Sequence, residues 1–374
     1  MKIAVEATPL MSKSTGIERF VYFILRELAK LDAENEYILY YQGGLGYKKR
    51  TPPKFNFKKY KYKIIKIPLQ VLNFFIDYFK FPPMEAFIGK PDLFWATNYQ
   101  IPVFWNTTKT VNTIYDVSAF IYPEHYTESL HRIKKNMPMS AKKADIILTI
   151  SESAKNDIQR ILEVPSEKIK VVYCGVSDDF CVVKDAYALQ NIKNKYAGGK
   201  NFILSVGTLN PRKNFIKLIE AFDIIRKNIG IKLVIAGKKG WLFEGIYSKV
   251  KELNLEGQVV FTDCVTDKEL NLLYNVSSVF VFPSLYEGFG IPIIEAFTCG
   301  APVCASNASS MPEVAGDAAL YFDPNNEKEM ASSVLKMLQN KPLRDKFVEK
   351  GFERVKKFSW KTSAIKLLEI FKSM

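Results

Sequence analysis

Two glutamates eight positions apart are the residues of this chain with the clearest chemical use. They bound the segment Glu287-Gly-Phe-Gly-Ile-Pro-Ile-Ile-Glu295, which follows an apolar run at residues 279–282 that predicts a buried strand. Pro292 suits a first helical position, where its missing N–H costs no hydrogen bond. A strand, a glycine-rich turn and a helix in this order point free N–H groups at an anion. Carboxylates beside those donors would hold the hydroxyls of a sugar nucleotide whose phosphates lie between them.

Two other interpretations of this glutamate pair were weighed. If the whole segment is helical, eight residues at ~1.5 Å rise separate the carboxyls by about 12 Å. The catalytic carboxyls of a glycosidase lie about 5 to 9.5 Å apart, so a hydrolytic pair is disfavoured. Chance placement stays open, because the first turn of any helix attracts glutamate.

A basic pair lies upstream, between another predicted strand and helix. Residues 202–207 form a β-rich run, Arg212 and Lys213 follow, and an apolar helical pattern starts at Phe215. A guanidinium and an ammonium at this turn would neutralise a diphosphate and stabilise its charge as a glycosidic bond breaks. Taken alone, the pair is better explained as a solvated basic turn.

Together these segments resemble the retaining GT-B glycosyltransferases of family GT4. The Pro-Arg-Lys-Asn form of the basic motif is similar to that of bacterial mannosyl- and rhamnosyltransferases that build surface polysaccharides and lipopolysaccharide. The resemblance extends over nearly the whole chain. The matching segments lie at residues 15–20, 114–120, 123–126, 149–154, 211–214, 235–241, 282–295 and 300–303.

The resemblance implies a donor site for a nucleotide diphosphate sugar. Arg212 and Lys213 would hold the phosphates, Glu295 the ribose hydroxyls, and Glu287 the hydroxyls of the transferred sugar. The loop around Val265 would read the base through backbone groups. Backbone donors would also approach the sugar and the phosphates at Gly288, Phe289, Gly290 and, ahead of the first helix, Gly16.

An acceptor-side carboxylate is expected in the N-terminal half. Many relatives carry His-Asp in one loop, where this chain has Tyr115-Asp116. Tyrosine is a poor base at neutral pH, because its reference pKa is near 10, so Tyr115 would supply a hydrogen bond or shape. Asp116 then joins Glu287, Arg212 and Lys213 in the expected catalytic set as the group that orients an acceptor hydroxyl. A loop-capping role for Asp116 stays open.

The resemblance implies transfer of a hexose or deoxyhexose, with GDP-mannose favoured as donor, to a lipid-linked or cell-surface glycan. No cofactor and no metal are expected, and the chain shows no metal-ligand cluster in its sequence. The expected place is the cytoplasm, including the cytoplasmic face of the membrane. Two alternatives stay open: a non-catalytic basic protein that binds nucleic acid or membrane, and a GT-B sugar-nucleotide epimerase.

Composition agrees with two cytoplasmic domains. A chain of 374 residues with 48% hydrophobic content can bury two cores. No run reaches the ~18 apolar residues of a membrane span, and the first residues enter a strand pattern without a signal peptide. Five cysteines without Cys-x-x-Cys spacing and two histidines support neither a disulfide framework nor a zinc site.

Strand and helix patterns alternate along the whole chain, as doubly wound α/β domains require. The predicted fold is therefore α/β, of GT-B type, with two Rossmann-like doubly wound domains facing an interdomain cleft. The predicted divisions are an N-terminal acceptor-side domain at 1–181, a linker at 182–200, a C-terminal nucleotide-sugar domain at 201–357, and a final helix at 358–374 crossing back to the first domain.

A basic run at residues 47–66 accounts for the positive charge of the N-terminal half. It holds nine Lys or Arg and no acid, within a chain of net charge +14. The apolar stretch at 69–81 follows, and the two together suit peripheral contact with an anionic membrane. A solvated loop followed by a core helix is the alternative. Single-stranded nucleic acid is a third interpretation, but the motifs are not those of DNA-glucosylating enzymes, so no nucleic acid is expected.

Overall fold

The computed structural model describes residues 1–11, 16–42, 52–67, 82–126 and 129–374. The chain divides into two compact units. The first consists of Met1–Phe120, Glu128–Cys174 and Ser359–Met374, and the second of Ile121–Thr127 and Gly175–Phe358. Each unit is built on one parallel sheet, so the predicted pair of Rossmann-like α/β domains is confirmed.

The first unit contains a seven-stranded sheet in the order β3-β2-β1-β4-β5-β6-β7. Its strands β1, β2 and β4 are largely apolar, because helices cover both faces of a parallel sheet. The strands are β1 (Lys2–Glu6), β2 (Glu36–Gln42), β3 (Tyr60–Ile65), β4 (Leu93–Ala96), β5 (Lys109–Thr113), β6 (Ile146–Thr149) and β7 (Ile169–Val171).

Six helices of the first unit are described. The last of them packs on the first through the ring of Trp360, which stacks on Phe23 at 5.3 Å and meets Phe20 edge-on at 5.9 Å. The helices are α1 (Gly16–Leu31), α2 (Glu85–Ile88), α3 (Ser118–Ile121), α4 (Ser129–Lys143), α5 (Glu152–Leu162) and, at the end of the chain, α14 (Trp360–Lys372), with short 3-10 turns at Thr8–Met11 and Ser166–Lys168.

The second unit contains a six-stranded sheet in the order β10-β9-β8-β11-β12-β13. The strands are β8 (Phe202–Val206), β9 (Lys232–Ala236), β10 (Val259–Phe261), β11 (Val279–Phe282), β12 (Val303–Ser306) and β13 (Ala319–Phe322). The helices are α6 (Ala186–Ala197), α7 (Phe215–Arg226), α8 (Glu244–Glu252), α9 (Asp267–Val276), α10 (Ile291–Thr298), α11 (Met311–Ala315), α12 (Glu327–Gln339) and α13 (Lys341–Val355), with 3-10 turns at Pro123–His125, Pro211–Lys213 and Gly316–Ala318.

Both sheets have a point where the direction of strand addition reverses. In the first sheet β1 pairs with β2 on one side and β4 on the other. In the second sheet β8 lies between β9 and β11 in the same way. The loops that leave the carboxyl ends of such neighbours diverge to opposite faces, and the crevice between them is where open α/β sheets bind ligands.

The predicted linker at 182–200 is wrong. It contains α6, whose N-terminus is capped by the Asp185 side chain and whose Ile192 and Ala197 are buried. The preceding backbone is tied to α9, because Cys181 N donates to the Asn271 side chain. This segment is polar overall but carries a cap and two apolar anchors, and it belongs to the second unit.

Part of the basic run is a strand. Residues 60–65 form β3 at the edge of the first sheet, where Lys61, Tyr62 and Lys63 are exposed. The apolar stretch at 69–81, predicted as a helix, lies outside the described residues. In the described ranges, no helix combines the length and the apolar character needed to cross a bilayer.

Candidate functional site

Arg212, Lys213 and Glu287 form one ionic cluster at the strand-order reversal of the second sheet. The basic pair follows β8 and the glutamate follows β11. Lys213 Nζ lies 2.6 Å from Glu287 Oε1, and an Arg212 guanidinium nitrogen lies 2.8 Å from Oε2. The three side chains are only 11 to 18% exposed. The structure therefore brings together residues that are 74 positions apart in sequence.

Two asparagines shape the turn that carries the basic pair. The Asn210 side chain accepts from Lys213 N and caps the 3-10 turn. Asn214 adopts the left-handed conformation at φ 58°, and its amide donates to Pro283 O at 3.0 Å and Pro324 O at 2.7 Å. Because asparagine tolerates this conformation better than most residues, the Pro-Arg-Lys-Asn motif ties the basic turn to the loop after β11.

Ser309 and Ser310, which follow β12, hold the backbone of the Glu287 loop. Ser309 Oγ donates to Glu287 O at 2.5 Å and accepts from Glu287 N at 3.2 Å. Ser310 Oγ donates to the carbonyls of Glu287 and Phe289 at 2.9 and 2.8 Å. Sequence reasoning missed both serines, and the one available signal was a polar Asn-Ala-Ser-Ser stretch that follows an apolar run.

The electrostatics of the cluster favour an anion. Burial raises the pKa of Glu287, but the Arg212 and Lys213 charges outweigh it and lower the pKa to about 2. Glu287 is therefore charged at neutral pH, and two cations against one carboxylate leave a net positive charge. Charged groups in such sheltered positions interact more strongly than they do in water, so the cluster suits a phosphate-bearing ligand.

Glycines allow the loops after β8 and β9 to meet beside the cluster. A Cβ placed on Gly237 would lie 1.9 Å from the Gly207 carbonyl oxygen. A Cβ on Gly207 would in turn lie 3.0 Å from Lys213 Cε, and the φ of Gly207 is +157°. The Gly-Lys-Lys-Gly motif at residues 237–240 therefore has a steric role. Its first glycine lets the backbone after β9 come close to the loop that leads from β8 to the basic pair.

Glu295 lies on α10 and is 2% exposed. Its Oε2 accepts from Tyr274 Oη at 3.1 Å. Gly290, at φ 105°, is the N-cap of this helix and Pro292 lies in its first turn, as predicted. Glu287 is not helical, so the separation expected for a continuous helix does not apply. The intervening Gly288 and Phe289 are buried, and Phe289 packs edge-on against Phe358 at 5.4 Å.

The remaining residues expected at the donor and acceptor sites lie in loops and helix starts. Val265 is half-buried in the loop between β10 and α9. Gly16 begins α1, and a Cβ there would meet nothing within 4 Å. Asp116 accepts from Ser118 N at 2.9 Å and from the Ser118 hydroxyl, next to α3. Val265 belongs to the second unit, whereas Gly16 and Asp116 belong to the first.

Tyr115, the first residue of the Tyr-Asp pair in the N-terminal half, is a buried hydrogen-bond donor. Its hydroxyl donates to Thr97 O at 2.9 Å. Burial raises the pKa of Tyr115 well above its usual value, and the nearby Cys174 and Glu6 add to this shift. The tyrosine therefore stays protonated, and its hydroxyl holds the backbone carbonyl of Thr97 in place.

His125 belongs to the second unit and lies near Arg212. Its ring stacks on Tyr122 at 5.1 Å, and its carbonyl accepts from Trp241 Nε1. Burial lowers the pKa of His125; Glu124 opposes this shift and the Arg212 charge adds to it. Sequence reasoning noted the Pro-Glu-His-Tyr motif but assigned the histidine no role. Among the described residues, no group of three or more His, Cys, Asp or Glu is placed to hold a metal ion.

Both halves of the chain match known families. Residues 14–180 match glycosyltransferase family 4, and residues 189–354 match the glycosyl transferases group 1. O-antigen chain mannosyltransferase B of Escherichia coli is 30% identical over 286 residues, which is 76% of this chain and 74% of that relative.

A longer relative and a solved structure give further similarity. The serotype-specific mannosyltransferase WbdA of Escherichia coli is 31% identical over 270 residues, 70% of this chain, which spans about a third of that relative (33%). The structure of HepE from Anabaena, in complex with UDP and glucose, superimposes with a TM-score of 0.77 at 16% identity and covers 100% of this chain and 99% of HepE. The structural likeness shows a shared fold.

Proposed function

Because the chain belongs to the glycosyltransferases of family 4, we propose that it is a retaining transferase that moves mannose from GDP-mannose. The proposed acceptor is a lipid-linked or cell-surface glycan, as in the assembly of O-antigen. Family membership already makes the chain a hexosyltransferase with a GT-B fold. The nucleotide, the sugar, the stereochemistry and the acceptor are the proposal.

The Arg212–Lys213–Glu287 cluster carries the donor part of the proposal. A nucleoside diphosphate would share the two cations with Glu287, and both cations would stabilise the negative charge that grows on the phosphate as the sugar–oxygen bond breaks. Glu287, partly released from the cations, would accept hydrogen bonds from hydroxyls of the transferred sugar. Glu295, together with Tyr274, would hold the ribose. These roles need two fixed cations and no metal ion, so we propose metal-independent transfer.

The names of the relatives support mannose as the sugar. O-antigen chain mannosyltransferase B matches over most of both chains, which is why GDP-mannose is favoured over other donors. HepE binds UDP and glucose in its crystal, so UDP-sugars are the competing donor class. Asp116 would orient the acceptor hydroxyl. The backbone at Gly16, where α1 begins, would approach a bound substrate.

We further propose that the basic strand β3 contacts an anionic membrane that carries the lipid-linked acceptor. Lys61 and Lys63 are exposed there, and the ring of Tyr62 is 60% exposed. Lys61 also pairs with Glu36 at 3.1 Å. Basic side chains near an anionic surface contribute about 1 kcal/mol each, so this surface would bring the enzyme to its acceptor.

A donor screen followed by a transfer assay tests the proposal. GDP-mannose, UDP-glucose, dTDP-rhamnose and ADP-glucose are compared by thermal shift, where a ligand at 100 times its Kd adds about 2.7 kcal/mol. GDP-mannose should raise Tm most. It should also support transfer to an alkyl mannoside in excess EDTA, giving a product whose anomeric configuration by NMR matches the donor.

Each part of the proposal can fail separately. A shift with UDP-glucose alone would reject the donor, and an inverted anomer would reject retention. Loss of transfer in EDTA that added magnesium or manganese restores would reject metal independence. Conversion of the sugar nucleotide without any acceptor would favour an epimerase instead.

A further inference from the structure

The strand-order reversal of the first sheet carries an acidic residue that sequence reasoning did not select. Glu6 is the last residue of β1, and Thr97 directly follows β4. Thr97 Oγ1 donates to Glu6 O at 2.6 Å, which joins the two strand ends across 91 positions of sequence. The equivalent point of the second sheet holds the Arg212–Lys213–Glu287 cluster. By the same topological rule, the crevice at Glu6 is a place for a ligand.

The Glu6 carboxyl is half-buried among amides and phenols. Burial raises its pKa to about 7, and hydrogen bonding from the backbone amides of Asn98 and Thr97 only partly opposes the shift. The phenols that feel its charge come from three elements: Tyr40 on β2, Tyr99 after β4 and Tyr115 after β5. Glu287, in contrast, is neutralised by two cations. Among the described residues no cation pairs with Glu6, and keeping its carboxyl charged in such a place is costly, which points to a ligand rather than to stability.

We propose that Glu6 is a positioning residue for the acceptor, and that its carboxyl binds a hydroxyl of the sugar that receives the transferred hexose. Thr97–Tyr99 would form the opposite wall of the crevice, where the half-exposed Tyr99 offers a ring face and a hydroxyl. This inference rests on the proposed transferase function and adds to it a residue of the first unit.

The chemistry of the crevice selects a hydroxyl over other groups. A carboxylate repels phosphate and other anions, so the donor diphosphate is disfavoured there. Carboxylates accept hydrogen bonds from hydroxyls, and the bond is roughly twice as strong when the carboxyl is charged. Acceptor affinity should therefore fall as pH drops through 7. Tyr40, Tyr99 and Tyr115 stay protonated across that window because their pKa values are raised, and the guanidinium of Arg132, which acts on Tyr99, stays charged.

The test compares wild type with Glu6→Gln, which keeps the size and removes the charge. Glu36→Gln is the matched control, because Glu36 begins the neighbouring strand β2 and so lies at the amino-terminal end of the strands, away from Glu6. Binding of octyl α-mannoside and octyl N-acetylglucosaminide to each protein without donor is measured by calorimetry at pH 6, 7 and 8. Binding of the nucleoside diphosphate is measured in parallel, and Tm reports folding.

Wild type and Glu36→Gln should bind at least one glycoside about tenfold more tightly at pH 8 than at pH 6. Glu6→Gln should bind it at least tenfold more weakly at pH 8, with no pH dependence, a Tm no lower than that of wild type and unchanged diphosphate binding. Equal glycoside binding by wild type and Glu6→Gln, or no binding of either glycoside to wild type, overturns the inference. Failure of the proposed function is a separate result, since it appears as a wild type that binds no nucleotide.

Discussion

At the scale of single residues, Glu287 sets the charge balance of the proposed donor site. The carboxylate is held by two cations at 2.6 and 2.8 Å. In the free protein the cations therefore satisfy Glu287, and a bound diphosphate has to compete for them. The same three residues serve folding and binding, so substitutions among them separate the two roles.

Removing the charge of Glu287 should weaken folding and favour diphosphate binding. Glu287→Gln removes the carboxylate that pairs with two sheltered cations, and breaking a buried ion pair costs about 3 to 5 kcal/mol. Added GDP should restore more of the lost Tm in the variant than it adds to wild type, because the phosphates replace the missing charge. Thermal shift with and without GDP measures both effects. A smaller GDP shift in the variant would contradict the shared-cation arrangement.

The pH dependence of folding should differ between wild type and Glu287→Gln. The pKa of Glu287 is lowered from 4.5 to about 2 in the folded protein. A lowered pKa means that the stabilisation is present above the unfolded value and is lost as pH falls from about 4.5 toward 2. Urea unfolding at pH 7 and pH 3.5 should show a smaller difference between the two proteins at the lower pH. A constant difference would mean that Glu287 does not carry this linkage.

Each cation of the donor site should be needed for turnover. Arg212→Ala and Lys213→Ala should each lower kcat by ~10²–10³, the usual loss when one charge-stabilising group is removed. The control is Lys227→Ala, which removes an exposed lysine that pairs with Asp223 at the end of α7. Turnover is measured at saturating donor, with circular dichroism to check the fold. Near-wild-type kcat in either site variant would reject the phosphate role.

At the scale of elements, the loops after β8 and β9 are locked together by Gly237. Adding one methyl group there requires backbone to move, because the Gly207 carbonyl oxygen would lie at 1.9 Å from the new Cβ. The same movement would displace the chain that leads to Lys213. A substitution in these loops can therefore disturb the Arg212–Lys213–Glu287 cluster without replacing any charged residue.

Gly237→Ala should lower both stability and donor affinity. Overpacking costs about 1 to 3 kcal/mol, and we expect at least that because the clashing atom is backbone. Gly230→Ala is the matched control, since a Cβ there meets nothing within 4 Å and surface changes stay within about 0.5 kcal/mol. Urea unfolding and GDP calorimetry give the two readouts. Equal stability of the two variants would show that the glycine contact is not constraining.

At the scale of the whole molecule, the net charge of +14 is unevenly distributed over the surface. Lys58, Lys59, Lys61 and Lys63 cluster at the edge of the first sheet, whereas other exposed lysines are scattered. A membrane contact depends on this clustering, because at 0.15 M ionic strength the screening length is about 8 Å. Total charge and local charge can therefore be separated by experiment.

Neutralising the four clustered lysines to glutamine should release the protein from vesicles that contain acidic lipid. The control replaces four scattered exposed lysines, Lys200, Lys227, Lys251 and Lys268, with the same loss of net charge. Co-sedimentation at 0.05 and 0.3 M salt should show salt-sensitive binding for wild type and the control only. If both quadruple variants bind equally, or wild type ignores vesicles, the strand is a solvated edge. Preference of wild type for single-stranded DNA would support a nucleic-acid partner.

The sequence by itself determined most of the fold and singled out the charged residues of the proposed donor site. Strand and helix patterns are local, and buried parallel strands read as apolar runs, so the alternation predicted two doubly wound units. Arg212, Lys213 and Glu287 were predicted because each lies in the turn between an apolar strand and the following helix. Residues at the carboxyl ends of neighbouring parallel strands share one edge of the sheet.

Only the tertiary structure decided which of these groups meet and what else surrounds them. Ser309 reaches Glu287 across 22 positions, and Thr97 reaches Glu6 across 91. No local pattern encodes such distances, because strand order in the sheet sets them. Residues 182–200 were predicted to be a linker for a related reason, since their composition is as polar as that of an interdomain linker. A short capped helix with two buried side chains is stable only when it packs against the rest of its unit. The local sequence thus indicated which charged residues matter, and the strand order of the sheet decided which of them lie together.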